Sequence, residues 1–167
     1  MRKKAKRGPQ INARAETLLE SPMLRHPAIS RRCLIPADGF YEWTSATGSR
    51  PSQPLHIRLK GGGLFAFAGI YAGRRDGLDT YAIVTTEPNE LVAPIHNRMP
   101  VMLDPDDEAL WLDGAVTDPA AVLGYLRPYL AQEMEAYPVG PLVSSARNEG
   151  REPIEPLGVS QPRLCSM

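Results

Sequence analysis

Cysteine is nearly missing from this sequence: Cys33 and Cys165 are the two in 167 residues, and they form no CxxC pair. That spacing argues against a disulfide scaffold and against a zinc site. A reducing, cytoplasmic setting is the expectation. Net charge is missing too, with 19 Lys and Arg against 19 Asp and Glu. The balance excludes a uniformly basic nucleic-acid coat protein, but it permits a local basic patch. There is also no long apolar run. The longest uncharged stretch, Gly61 to Gly73, has 13 residues, short of the roughly 20 that a membrane helix requires. The N-terminus is basic, yet no apolar segment of a secretory signal follows it. HExxH, GxGxxG and P-loop patterns are lacking as well. No metal, cofactor or membrane partner is therefore expected.

Proline, by contrast, is abundant at 17 of 167 residues, about twice ordinary usage. So many breakers exclude a coiled coil, a helical bundle or a solenoid of long helices. A hydrophobic content of 43% supports a real core, and the length fits one domain better than two. The charges are segregated. Arg2, Lys3, Lys4, Lys6 and Arg7 place five positive charges in the first seven residues. From Asp104 to Asp118 there are six acids and no base. Each run reads either as a solvated tail or helix face, or, for the basic one, as a phosphate-tracking surface.

The local patterns predict a short helix over 13–21, stopped by Pro22, and a further turn over 23–30. Short strands are predicted at 33–37 and 40–44 around the turn pair Asp38-Gly39. Residues 55–60 alternate apolar and polar, as a half-buried strand does. Gly61-Gly62-Gly63 reads as a hairpin turn into the apolar strand 64–71. Strands follow at 81–86 and 99–103. Asp104 and Asp118 are placed to cap helices over 105–112 and 119–126, and 133–143 reads as extended. The fold class expected is α+β, with a mostly antiparallel, barrel-like β-sheet and a few short helices. Residues 1–10 form a basic N-terminal segment, 11–150 the domain, and 151–167 a C-terminal tail.

Three segments carry polar groups that a strand or turn does not need: Ile11 to Thr17, Ala37 to Trp43, and Ile95 to Pro100. Glu42 lies between two large aromatics in sequence. A carboxyl against apolar surface loses hydration, and its pKa rises toward the range of a general acid. His96 precedes a strand, in the loop setting of many acid–base histidines. Asn12 and Arg14 can orient an oxygen or a phosphate. Read singly, each has a structural alternative: a solvent-facing strand Glu, a structural His, a helix-capping Asn. His26 and His56 read as structural.

Four runs occur together and in order: INARAET from Ile11, RCLIPADGFYEW from Arg32, AIVTTEPN from Ala82 and IHNRMPVML from Ile95. They resemble the SOS response-associated peptidase (SRAP) family, from Ile11 to Asn148. The resemblance implies an SRAP-like fold and recognition of abasic sites in single-stranded DNA during the DNA damage response. It also implies a covalent DNA–protein crosslink to the sugar aldehyde, and an associated autopeptidase activity. In that family the cysteine after the initiator methionine supplies amine and thiol for a thiazolidine. The resemblance carries catalytic roles to Asn12, Glu42 and His96, and DNA-binding roles to Arg14, Trp43 and Thr85.

The sequence departs from the family at its start, which reads Met1-Arg2-Lys3-Lys4 rather than Met-Cys-Gly-Arg. On this reading about 60 to 75 residues of an ordinary domain are not spanned. Cys33 and Cys165 cannot replace the family's nucleophile, because an internal cysteine has its nitrogen in a peptide bond. Two alternatives stand beside covalent capture. One is a non-catalytic single-stranded DNA-binding remnant using Arg14, Trp43 and the basic run. The other is a Schiff-base abasic-site lyase using the Met1 amine, Lys3 or Lys4. A shortened sheet also predicts an apolar face open to water and a marginally stable, aggregation-prone chain.

Overall fold

The computed structural model describes residues 11–46, 52–73, 77 and 79–158. In chain order these form β1 (Asn12–Arg14), α1 (Arg25–Ser30), β2 (Arg32–Ala37), β3 (Phe40–Trp43), β4 (Pro54–Leu59), β5 (Phe65–Gly73), β6 (Asp79–Thr86), β7 (Met99–Pro100), α2 (Pro105–Leu112), α3 (Pro119–Gly124) and β8 (Met134–Pro138). One sheet runs β1-β6-β5-β2, with β7 also on β6, and a second runs β3-β4-β8. Among the described residues only β1 and β6 pair in parallel; the other ladders are antiparallel.

Alternation along β5 shows why the larger sheet is covered on both sides. Ala68 and Ile70 join a core with Ala13, Leu18, Val84 and Trp111, under the helices. Phe65 and Phe67 join another with Ile57, Met99 and Met134, against the second sheet. Neighbouring side chains on a strand point to opposite faces. A sheet buried on both faces therefore requires the near-continuous apolar run that β5 supplies. The fold is α+β and mostly antiparallel, as the sequence predicts. Two facing sheets stand in place of a closed barrel.

The predicted caps form. Asp104 accepts from the Asp106 amide at 3.2 Å, and Asp118 from the amides of Ala120 and Ala121. Other expectations are corrected. The helix expected over 13–21 is replaced by β1 and a 3-10 turn over Ala15–Thr17. Parallel pairing with β6, with Ala13 fully buried, overrides the local helix preference of Ala, Glu and Leu. Asp38-Gly39 and Gly61-Gly62-Gly63 do turn the chain, but neither closes a hairpin. Each passes the chain from one sheet to the other. The three glycines have φ of 78°, 77° and 115°, a region costly for residues with a Cβ. The strand expected over 99–103 is limited to β7, plus an isolated bridge between Met102 and Phe67.

Arg32 ties the helices to the sheet. Its guanidinium is buried and donates to the carbonyls of Ala28, Ile29, Trp111 and Asp113. It thus meets the carbonyl ends of both α1 and α2, where cations are favoured. Cys33, next in β2, is a free thiol that burial pushes up, away from thiolate chemistry. Cys165 and the basic run Arg2–Arg7 lie outside the described residues. Residues 151–158 pack on the second sheet, through a Val139–Pro156 bridge and a bond from the Leu157 amide to the Pro138 carbonyl at 2.8 Å. Among the described residues no helix is long and apolar enough to cross a membrane, and no group of three His, Cys, Asp or Glu could hold a metal ion.

Candidate functional site

The parallel register of β1 against β6 places Asn12 beside Ile83 and Arg14 beside Thr85. Asn12 and Arg14 are two residues apart, so they project to one side while Ala13 between them is buried. β3 of the second sheet brings Glu42 to the same place, and the loop between β6 and β7 brings His96. The result is a cleft of about 370 Å³ bordered by Asn12, Arg14, Glu42, Thr85, His96 and Arg98.

The loop that carries His96 is built from Asn89. The Asn89 side chain accepts from the Val92 amide at 3.0 Å and donates to the Tyr129 carbonyl at 2.7 Å. Its carbonyl accepts from Ala93 at 2.9 Å, and the Val92 carbonyl accepts from Ile95 and His96. These bonds satisfy a buried polar side chain and make consecutive turns of an otherwise irregular segment.

Glu42 Oε1 lies 3.6 Å from His96 Nδ1. Burial pushes the Glu42 carboxyl above its ordinary value, and it outweighs the His96 ring and the Trp43 amide, which both pull down. The Glu42 side chain is 22% exposed and that of His96 is 43% exposed, so a solute can reach both. A carboxyl with a raised pKa beside an imidazole can protonate one atom of a bound molecule while its neighbour takes a proton from another.

The cause of the Glu42 shift differs from the one its sequence neighbours suggest. Phe40, on the side of β3 shared with Glu42, packs edge-on to Phe67 at 5.8 Å, in the core between the sheets. Tyr41 packs on His56 at 5.1 Å, on the other side of the strand. Glu42 is thus dried by its place between two sheets rather than held between Tyr41 and Trp43. Trp43 is 38% exposed and does not border the cleft. The structure brings together Asn12, Arg14, Glu42, Thr85 and His96, and leaves Trp43 outside that group.

Two residues that carried no role in the sequence reading complete the arrangement. Arg98 donates to both carboxylate oxygens of Glu16, at 2.6 and 3.0 Å. It also donates to the Thr85 carbonyl at 2.6 Å and to the Thr85 hydroxyl at 3.2 Å. The bond to Arg98 holds the Glu16 carboxyl below its ordinary value. Both residues lie within the quoted motifs, but 82 positions separate them, and a local pattern does not signal such a pairing. His56 is buried, with Nδ1 2.8 Å from the Tyr137 hydroxyl. His26 is exposed and lies near Ser30, four residues on.

Residues 1–146 match the family described as SOS response associated peptidase (SRAP). The chain is 48% identical over 149 residues to the abasic site processing protein YoqW of Bacillus subtilis, an alignment covering 87% of this chain and 66% of that protein. It is 32% identical over 178 residues to the abasic site processing protein HMCES of Gallus gallus, covering 91% of this chain and 52% of that protein. A crystal structure of a protein from Bacteroides thetaiotaomicron superposes with a TM-score of 0.77 at 29% identity, over 87% of this chain and 65% of that one. The chain thus spans just under two thirds of the Bacillus relative and about half of the chicken one. A family match over most of its length, on a shared fold, establishes that this chain belongs to the SRAP family.

Proposed function

We propose that this cleft recognises an abasic site in single-stranded DNA and performs the proton transfers of its covalent capture, in a cytoplasmic setting. The observation that carries the reading is the Glu42–His96 pair, 3.6 Å apart in a cleft bordered by an exposed arginine, Arg14. An abasic deoxyribose rests mainly as a closed hemiacetal. Opening it breaks the bond between the anomeric carbon and the ring oxygen. Protonated Glu42 delivers a proton to that ring oxygen as the bond breaks, and His96 removes the proton of the anomeric hydroxyl to leave an aldehyde. An amine then attacks the aldehyde, and loss of water gives an imine.

Asn12 holds the sugar or the attacking residue, and Arg14 clamps a flanking phosphate. Thr85 faces the strand, and Trp43, beyond the cleft, stacks on a neighbouring base for about 1–3 kcal/mol. The relatives' names, abasic site processing protein, support the substrate class. Among the described residues no cysteine or lysine borders the cleft. The candidate amines of the sequence, that of Met1 and those of Lys3 and Lys4, lie outside the described residues. A gel-stable thiazolidine needs amine and thiol on one residue, while a plain amine gives an imine that borohydride traps.

The test mixes the chain with single-stranded DNA carrying one abasic site, with and without borohydride, and resolves products on a denaturing gel. A trapped adduct is expected, falling roughly a hundredfold in rate in Glu42→Gln and His96→Ala. Salt-sensitive binding to intact and abasic strands alike, with no trapped adduct, would replace this reading with a non-catalytic single-strand binder.

A further inference from the structure

A neutral imidazole carries one N–H, and the nitrogen that carries it decides what the other can do. Three groups face His96 Nδ1. The Arg98 carbonyl lies at 3.0 Å, the Arg98 amide at 3.3 Å and Glu42 Oε1 at 3.6 Å. The amide bond needs a lone pair on Nδ1; the carbonyl, which can only accept, needs a proton there, as Glu42 does whenever it is ionised. The shortest contact, to the carbonyl, asks for the proton. The unprotonated nitrogen is then Nε2, which can act as a base.

The Arg98 carbonyl lies just before β7, whose pairing with β6 fixes the backbone beyond it, and the Arg98 side chain adds a second tether to the same strand. The guanidinium Nε is buried and has no hydrogen-bond partner among the described residues. Its orientation therefore rests on the two terminal nitrogens. One bonds only Glu16; the other bonds Glu16 and Thr85. Thr85 belongs to β6, paired with β1, and Glu16 to the 3-10 turn after β1. A forked, charge-assisted pair of this kind fixes a plane as well as a distance.

We propose that Glu16 is a positioning residue. By gripping Arg98 in a fork, it holds the Arg98 carbonyl against His96 Nδ1, keeps the ring proton on that nitrogen, and leaves Nε2 free to accept the proton of the anomeric hydroxyl. The catalytic meaning rests on the abasic-site reading, but the tautomer can be measured with no DNA present.

The experiment records long-range proton–nitrogen correlations of the 15N-labelled chain at alkaline pH, where imidazole is neutral. His96 is expected as the Nδ1–H tautomer in the unaltered chain. In Glu16→Gln the signature shifts toward Nε2–H, and the rate of borohydride-trapped adduct falls roughly tenfold or more. Arg98→Lys keeps the charge but loses the fork; the same shift is expected, so this variant decides the matter should Glu16→Gln fail to fold. Glu20→Gln, on the exposed turn nearby, is expected to change neither readout. An Nε2–H signature in the unaltered chain overturns the proposal without any variant, as does an Nδ1–H signature that survives both substitutions. A tautomer that responds as expected in a chain that traps no abasic DNA supports the positioning role and overturns the abasic-site reading instead.

Discussion

In the proposed mechanism, Glu42 serves chemistry at a cost to stability. Its folded pKa is raised, with burial as the main cause. Such a group contributes stability below its unfolded pKa, where both states carry the proton. That contribution is lost as pH rises through the folded value, because the folded state must then give up a proton or hold a charge in a dry place. Glu42→Gln removes this penalty. Its thermal midpoint is expected to exceed that of the unaltered chain at neutral pH, with the gap closing as pH falls toward about 4, even as abasic-site capture is lost. Melting curves across pH check this; a midpoint below the unaltered chain at every pH counts against it. The candidate residues Asn12, Glu42 and His96 were legible because each is a polar group in a context that does not need one. The partnership of Arg98 with Glu16 was not legible, since charged residues are common on any surface.

The short connections between strands decide where the site assembles. Asp38-Gly39 reads as a turn pair between two short strands, a composition found in many hairpins. In the structure it lets β2 stay in one sheet while β3 crosses to the other, and this crossing carries Glu42 to face His96. Gly39 is also a point of close approach. A Cβ there would lie 2.1 Å from His56 Nε2, and the ring is pinned by Tyr41 and Tyr137. Gly39→Ala is therefore expected to destabilise the fold by about 1–3 kcal/mol, as an overpacked core does, and to slow capture by displacing β3. Chemical denaturation measures the first, and a neutral result removes the argument. The helix caps were readable because an N-cap is a local arrangement. The conversion of the expected 13–21 helix into β1 was not readable, because its partner, β6, lies some seventy residues on.

Across the molecule, the surface is uneven. A groove of about 670 Å³ adjoins the cleft, sharing Asn12 and Ile83 with it. Beside it Ile11, Met23 and Tyr81 are 67%, 77% and 61% exposed. A contiguous apolar face of this kind is a liability in water. The chain is expected to bind an apolar dye such as ANS while folded, and to aggregate on warming. A Met23→Lys, Tyr81→Lys double variant is expected to lose most of the dye fluorescence and to stay in solution longer. Unchanged dye binding would show that the groove is not the site of this behaviour.

Composition and spacing were enough for the α+β class, the capped helices and the doubly buried β5, and four motifs kept in order carried the resemblance to the family, because each depends on neighbours in sequence or on motif order. They could not reveal that the strands divide into two facing sheets. Nor could they show that Trp43 points away from the cleft, or that burial between the sheets raises the Glu42 carboxyl. Those outcomes depend on pairings between distant segments. The free energy of such contacts comes from excluding water between surfaces, and a linear pattern shows which residues can be buried but not against what.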